Sequence, residues 1–574
     1  MAKEWIIDSP WERCTEAANR WDLPLLVAQL LHNRGLDLSS DAQDFLDPRM
    51  TDLHAPELLG GAEQAATLLA EAVAKGRRIV LYGDYDVDGI TGLAILWNVL
   101  RSADADVGYY VPHRLEEGYG LNGEAVRKLI EDGAQTLVTV DCGITAVQEA
   151  KLADELGGQL IITDHHTPSP QWPEAAAVVH PAVDPPYPNP DLCGAGVAFK
   201  LAWALAKKLS ESQKVAPRFR AALLEALPLA ALGTIADVVS LTGENRIIAK
   251  HGLARLPKTE HVGLRALLES AGLTGQRIGG YEVGFRLAPR LNAAGRMGHA
   301  RLAVEMLTRA SADRAREIGL YLEEHNRSRQ ATERRITKQA CELIESAGLD
   351  GDAHRGIVLA AEGWHAGVIG IVASRLVDRY RRPTVLIALN NGQGQGSARS
   401  VRHFHMHQAL TACADHLITF GGHAMAAGLK IDSQNVGAFT EAFIEQANNT
   451  LTGRDLQPTL RIDAEVGIDQ LDLKTVQMIE VLGPFGQGNP KPRLCTDWVE
   501  LAGEPRTVGK TGDHLTASFR QNGISLRSIA FGQADAAEDL KQHRRCKVVF
   551  EPIINHFKGR PSVEMRVLDY RFPE

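Results

Sequence analysis

Between residues 77 and 180, short apolar runs alternate with amphipathic stretches. The runs 79–82, 107–111, 136–140, 159–163 and 177–179 have the near-continuous hydrophobicity of strands buried on both faces. Segments 123–131 and 146–155 between them carry helical spacing. This alternation predicts a mainly parallel sheet covered by helices. Ahead of it, 22–33, 40–46 and 62–74 read as helices; behind it, helices dominate from 195 to about 270.

Residues 312–346 read as one long helix whose middle, Glu323-Glu324-His325-Asn326-Arg327-Ser328-Arg329-Gln330, is polar all round. Such a helix is expected to cross solvent between domains. A second α/β unit follows, with strands at 356–360 and 384–388, a helix at 366–380, a glycine-rich loop at 390–396 and a closing helix at 441–451. Short alternating segments from 458 onward predict a small β-barrel. The fold class is therefore α/β, in five parts. These are an N-terminal helical segment (1–75), a mainly parallel-sheet domain (76–310), a connecting helix (311–348), a smaller α/β domain (349–455) and a barrel (456–574).

Composition narrows this little. Hydrophobic residues make up 44% and charged residues 23%, as in ordinary globular domains. The N-terminus has no basic region followed by an apolar core, and no apolar run looks long enough to span a bilayer: 227–239 is interrupted by Asp237. Seven scattered cysteines form no C-x-x-C pair, which fits a reducing cytoplasm. The net charge of −9 argues against a nucleic-acid partner until its distribution is considered. Six arginines face one aspartate over 375–403, and eight Lys and Arg face three acidic residues over 541–571.

The chemistry collects where predicted strands end. Gly83-Asp84-Tyr85-Asp86-Val87-Asp88-Gly89 puts three carboxylates in one strand-to-helix turn. Carboxylates this close repel one another, and a hard divalent cation relieves that. Asp141, the trio Asp164-His165-His166, and Asp237 stand at equivalent places. Singly, these would be a turn residue, a helix cap and an ion-pair partner. Together, carboxylates and imidazoles without thiolate suit a pair of Mn²⁺ or Mg²⁺ ions rather than structural zinc. Two such ions about 3.5–4 Å apart perform phosphoester hydrolysis.

These motifs, with Val140-Asp141-Cys142-Gly143-Ile144-Thr145 and Thr234-Ile235-Ala236-Asp237-Val238-Val239, resemble the DHH phosphoesterase superfamily. The segments Gly363-Trp364-His365-Ala366-Gly367, Gly396-Ser397-Ala398-Arg399-Ser400 and Gly421-Gly422-His423-Ala424 resemble its associated DHHA1 domain. Pro289-Arg290-Leu291-Asn292-Ala293-Ala294-Gly295-Arg296 and Gly483-Pro484-Phe485-Gly486-Gln487-Gly488-Asn489-Pro490 resemble the bacterial branch of single-strand-specific 5′→3′ DNA exonucleases. The resemblance implies one metal on Asp86 and Asp141 with Asp84 nearby, and a second on Asp88, Asp141, His165 and Asp237. It implies that His166 faces the scissile phosphate and that Asp164 orients the histidine pair. Small-substrate branches carry a histidine where Tyr82 stands, so Asp84 takes that place.

The resemblance also implies that Ser397, Arg399 and His423 hold the 5′ phosphate and that Arg296 and Arg114 contact the DNA backbone. The barrel would be an OB-fold, with Phe519, Phe531 and Phe557 as stacking candidates or core. It implies a cytoplasmic monomer that acts on single-stranded DNA in recombination, repair and mismatch repair, beside a single-strand-binding protein and a RecQ-type helicase. Two other readings stand beside this one: a DHH hydrolase of short oligonucleotides or cyclic dinucleotides, which would not need the barrel, and a non-catalytic DNA-binding scaffold of the same fold.

Overall fold

The five apolar runs pair as one parallel sheet in the order Val107–Tyr110, Ile79–Gly83, Thr136–Val140, Gln159–Thr163, Ala177–Val179. The computed structural model describes residues 3–113, 117–118, 120–210, 214–296, 299–351, 353–556 and 559–573. From Ile79–Gly83 the chain first adds a strand on one side and then Thr136–Val140 on the other. The strand order therefore reverses between these two, and open α/β sheets bind ligands in the crevice at such a reversal. Asp84 and Asp141 are the first residues beyond the two strand ends.

The helix Val87–Ser102 starts in that crevice. Its N-cap, Asp86, accepts from the backbone N–H groups of Asp88 (2.9 Å) and Gly89 (3.2 Å). It buries thirteen of its sixteen residues, as a helix apolar on all sides must. Helices Gly194–Leu209 and Pro217–Ala236 pack against it. Pro217–Ala236 corrects one expectation, because by length and composition it could cross a membrane. Here it lies in the same core as the sheet, with Leu227, Leu229, Ala230 and Leu232 fully enclosed.

The long connector forms over Ala312–Ser346 as its pattern predicts, but its middle is not polar toward solvent on every side: Glu324, Arg327 and Ser328 are exposed while Asn326 and Arg329 are buried. Asn326 and Glu333 are only 2% and 1% exposed. Neighbouring helices bring opposite charges to it: Arg290 meets Glu323 at 2.6 Å, and Arg375 pairs with Glu333. In the second unit, strands run in the order Thr419–Gly422, Ala426–Asp432, Gln393–Arg399, Thr384–Asn390, Ile357–Glu362. Gln393–Arg399 covers much of the expected loop. Its glycines are required by close packing: a Cβ on Gly394 would lie 2.6 Å from Ile387 Cγ2, and one on Gly396 would lie 2.6 Å from Leu429 Cδ1.

The C-terminal segments form an eight-stranded sheet closed by pairing of Arg545–Asn555 with Ser562–Arg571. Helices Leu473–Val481 and Ala536–His543, unanticipated in the pattern, pack against it. The first 75 residues are not one helical segment. Strand Glu4–Ile7 pairs in parallel with Thr459–Ile462, and Leu26, Val27, Leu30 and Leu31 share the barrel core with Phe519 and Phe550. Ala62–Ala74 instead joins the core of the parallel sheet.

Candidate metal centre and phosphate pocket

Backbone hydrogen bonds continue one step past the strand ends and set the carboxylates side by side. Asp84 N–H donates to Val140 O (3.2 Å), Asp141 N–H to Thr163 O (3.0 Å) and Asp164 N–H to Val179 O (3.2 Å). Asp141 sits at φ +64°, in the left-handed region that aspartate tolerates better than most residues other than glycine. Ligand atoms of Asp84, Asp86 and Asp141 all lie within 4.8 Å of one another; so do those of Asp88, His165 and Asp237, and those of Asp141, His165 and His166. The structure thus brings together the carboxylates and imidazoles expected at the metal centre, Asp84, Asp86, Asp88, Asp141, His165, His166 and Asp237. Tyr82 turns away, donating to Gly120 O at 3.1 Å.

Other residues that position this cluster were given no such role from the sequence, although Asn292 and Gly295 stood in a quoted motif. The first two N–H groups of helix Gly194–Leu209 donate to Asp88, Gly194 at 2.6 Å and Ala195 at 2.8 Å. This is a helix N-terminus holding an anion, here a carboxylate of the same chain. A Cβ on Gly194 would lie 2.5 Å from Asp141 Oδ1, and one on Gly233 would lie 2.6 Å from Asp88 Oδ1. Asn292 Oδ1 accepts from Val87 N–H at 3.2 Å, and Gly295 lets its helix approach Tyr85 O. The available signal was Cys193-Gly194-Ala195-Gly196, small residues opening an apolar helix, but its target lies more than a hundred residues away.

Asp164 accepts four hydrogen bonds: from the N–H groups of His165 (2.7 Å), His166 (3.2 Å) and Ile144 (2.9 Å), and from His166 Nδ1 (2.7 Å). It therefore orients the histidine pair, and its own pKa stays low: burial would raise it, but these donors prevail. Burial likewise favours neutral His166, yet the bond to Asp164 and the charges of Asp164, Asp237 and Asp88 carry it up to about 8. His165 moves the opposite way, lowered by burial. Its Nε2 stands 3.2 Å from Asp141 Oδ1, 3.6 Å from Asp88 and 3.7 Å from Asp237. Burial and neighbouring carboxylates raise Asp86 and Asp141, and carry Asp237 up to about 8.

This donor set fits divalent cations. Buried His165 Nε2 and Asp141 Oδ1 have no hydrogen-bond partner among the described residues. Mutually repelling carboxylates with a neutral imidazole are what oxygen-preferring cations such as Mn²⁺ or Mg²⁺ stabilise.

The phosphate-binding candidates lie on the second sheet. Arg399 Nη1 donates to Ser397 Oγ (3.2 Å) and Ala398 O (2.8 Å). Both side chains crowd Gly370 in the first turns of helix Ala366–Tyr380: a Cβ there would lie 2.8 Å from Ser397 Oγ and 3.1 Å from Arg399 Nη2. His423 is exposed in the hairpin beside them, its N–H donating to Ala426 O, and Ala426 pairs with Arg399. Arg296 crosses between the two units, donating to Gly367 O at 3.1 Å. Arg114 and Phe557 lie outside the described residues. Phe519 is fully buried in the barrel core and is not a stacking platform. Phe531 is 54% exposed, beside His514 and Arg566.

Comparison with known proteins finds three family models along the chain: the DHH family N-terminal domain over residues 78–231, the DHHA1 domain over 354–449 and the RecJ OB domain over 462–569. The single-stranded-DNA-specific exonuclease RecJ of Bacillus subtilis is 37% identical over 569 residues, 98% of this chain and 70% of that protein. The Escherichia coli protein of that name is 33% identical over 563 residues, 96% of both chains. The crystal structure of Thermus thermophilus RecJ with Mn²⁺ superposes with a TM-score of 0.84 at 34% identity, covering all of this chain and 80% of that one. Its Mg²⁺ complex gives 0.79 at 32% identity, covering all of this chain and 79% of that one. With all three domains in order and identity above 30% over nearly its whole length, the chain belongs to the RecJ family of DHH phosphoesterases.

Proposed function

We propose that this protein hydrolyses single-stranded DNA from the 5′ end and releases 5′-mononucleotides, using two divalent cations, Mn²⁺ or Mg²⁺. The observation that carries this reading is the cluster of Asp84, Asp86, Asp88, Asp141, His165 and Asp237 at the reversal point of the sheet, in a chain with RecJ domain order. Asp84, Asp86 and Asp141 would hold one ion, and Asp88, Asp141, His165 and Asp237 the other, with Asp141 shared. When bound, the pair supplies Lewis acidity toward phosphoryl oxygens and lowers the pKa of an attacking water.

The chain's own groups do the rest. His166, held through Nδ1 by Asp164, is oriented toward the scissile phosphate. Ser397, Arg399 and His423 grip the terminal 5′ phosphate, with arginine suited to bidentate contact. Arg296 and Arg114 contact the backbone of the strand. If the terminal phosphate fills that pocket, the next phosphodiester meets the metal site. Cleavage there leaves a new 5′ phosphate, which restores the substrate. The barrel, with Phe531 exposed, adds contact along the strand. Neither a hydrolase of short oligonucleotides nor one of cyclic dinucleotides needs such a module, and a non-catalytic scaffold needs no complete ligand set.

The role is in recombination and repair, in the cytoplasm, as a monomer. A single-strand-binding protein and a RecQ-type helicase would expose and present the substrate. The test is digestion of single strands labelled at either end, and of duplex, in Mn²⁺. A 5′ label should appear first, as a mononucleotide, and duplex should resist. Early release of a 3′ label would overturn the polarity.

A further inference from the structure

The buried polar middle of the connector helix Ala312–Ser346 takes no part in the chemistry above, yet it touches elements belonging to both halves of the site. Toward the metal centre, Glu323 meets Arg290 at 2.6 Å with both side chains largely buried. Arg290 lies on helix Ala288–Arg296, whose Asn292 accepts from Val87 in the Asp86–Asp88 turn. Toward the phosphate pocket, Glu333 lies between two guanidinium groups: Arg329 of its own helix at 3.0 Å, and Arg375 of helix Ala366–Tyr380. Arg329 also donates to Asn326 Oδ1 at 2.9 Å, so the stretch from 326 to 333 is tied internally. Gly370, five residues before Arg375 and on the same helix, is the residue against which Ser397 and Arg399 pack.

Four contacts, Val87–Asn292, Arg290–Glu323, Glu333–Arg375 and Gly370 with Ser397 and Arg399, are joined through three helices, so the connector bridges the metal turn and the phosphate pocket. We infer that Glu333 is a positioning residue, its pairing with Arg375 fixing the distance between the two halves of the site and so the number of nucleotides removed per cut. The inference rests on the proposed 5′-end mode of action. Neutralising Glu333 would leave the buried Arg329 without its carboxylate and free the half-exposed Arg375 from the connector. Releasing it would let helix Ala366–Tyr380 shift against the connector, and a displacement near 1 Å can cost about 100-fold in rate.

The test uses the full-length protein with Glu333→Gln, and with Arg375→Ala, whose side chain is half exposed and therefore safer for folding. Product lengths from a 5′-phosphorylated single strand are resolved alongside kcat/KM for 5′-phosphate and 5′-hydroxyl strands, Mn²⁺ affinity and Tm. Each variant should keep Mn²⁺ affinity, lose about 10- to 100-fold in kcat/KM on 5′-phosphorylated strands and release dinucleotides among the mononucleotides. The double variant should lose no more than the worse single one, since both break one interaction. Variants that still release only mononucleotides with the wild-type preference for a 5′ phosphate would overturn the inference. A wild-type enzyme without that preference, or without mononucleotide products, would instead overturn the mode of action beneath it.

Discussion

Gly194→Ala is a one-methyl change that should disable the metal centre without replacing any ligand. The new Cβ would lie 2.5 Å from Asp141 Oδ1 and 2.7 Å from its Cβ and Cγ. To reach ordinary contact at 3.4 Å, the helix start and Asp141 must part by about 0.9 Å. Neither can move freely. Asp141 is locked at φ +64° with its N–H bonded to Thr163 O, and Gly194 N–H is bonded to Asp88. Overpacking of this kind costs about 1–3 kcal/mol of stability. Catalysis should suffer more, since a shift near 1 Å in a positioned group can cost about 100-fold. Gly196→Ala is the control: its Cβ would press on Leu192 Cδ1, a movable side chain away from the carboxylates. Calorimetric Mn²⁺ titration and single-strand turnover should both collapse for Gly194→Ala and survive in Gly196→Ala. Wild-type Mn²⁺ affinity and turnover in Gly194→Ala would refute the claim that this helix start fixes the centre.

Three further outcomes follow from the geometry. Arg399→Ala should slow digestion of 5′-phosphorylated strands roughly 10- to 150-fold, the loss of one charge-assisted hydrogen bond, and hardly affect strands with a 5′ hydroxyl; equal loss on both would show that Arg399 does not read the terminus. Phe531→Ala should weaken binding of long single strands while leaving turnover of a saturating short oligonucleotide unchanged, and unaltered long-strand binding by fluorescence anisotropy would remove Phe531 as a platform. Burial and its carboxylate neighbours carry Asp237 from 3.8 up to about 8, so its contribution to the metal-free fold is fully present below pH 3.8 and lost as pH climbs through 8. Mn²⁺ displaces that proton, so the rise in Tm at fixed free Mn²⁺ should be larger at pH 8 than at pH 6, and an equal rise would contradict the coupling.

Local pattern was enough wherever a residue's neighbours in space are its neighbours in sequence. The runs at 79–82 and 136–140 read as enclosed strands, and an acidic residue after each marks the crevice. It failed where the environment comes from afar. The connector's polar middle looks solvated until Arg290 and Arg375 arrive from other helices. Gln393–Arg399 looks like a loop until Ile387 and Leu429 are seen to leave no room for a Cβ. Phe519 was equally readable as platform or core, and only barrel closure decided it. Strand Glu4–Ile7 finds its partner some 450 residues later, which no periodicity can announce. At the site itself, ligand types were legible because clustered carboxylates are costly without a cation. The glycines that bring Asp88 and Asp141 against neighbouring helices were not, because glycine records only an absence of side chain.

In the proposed centre one carboxylate, Asp141, joins two cations. Electron paramagnetic resonance of the protein titrated with Mn²⁺, compared with Asp141→Asn, tests it directly. Two ions per chain with the spin-exchange signature of a coupled pair are expected, and the variant should lose that signature together with hydrolysis while single-strand binding persists. Two uncoupled ions in the wild type, or a coupled pair and normal turnover in Asp141→Asn, would contradict it.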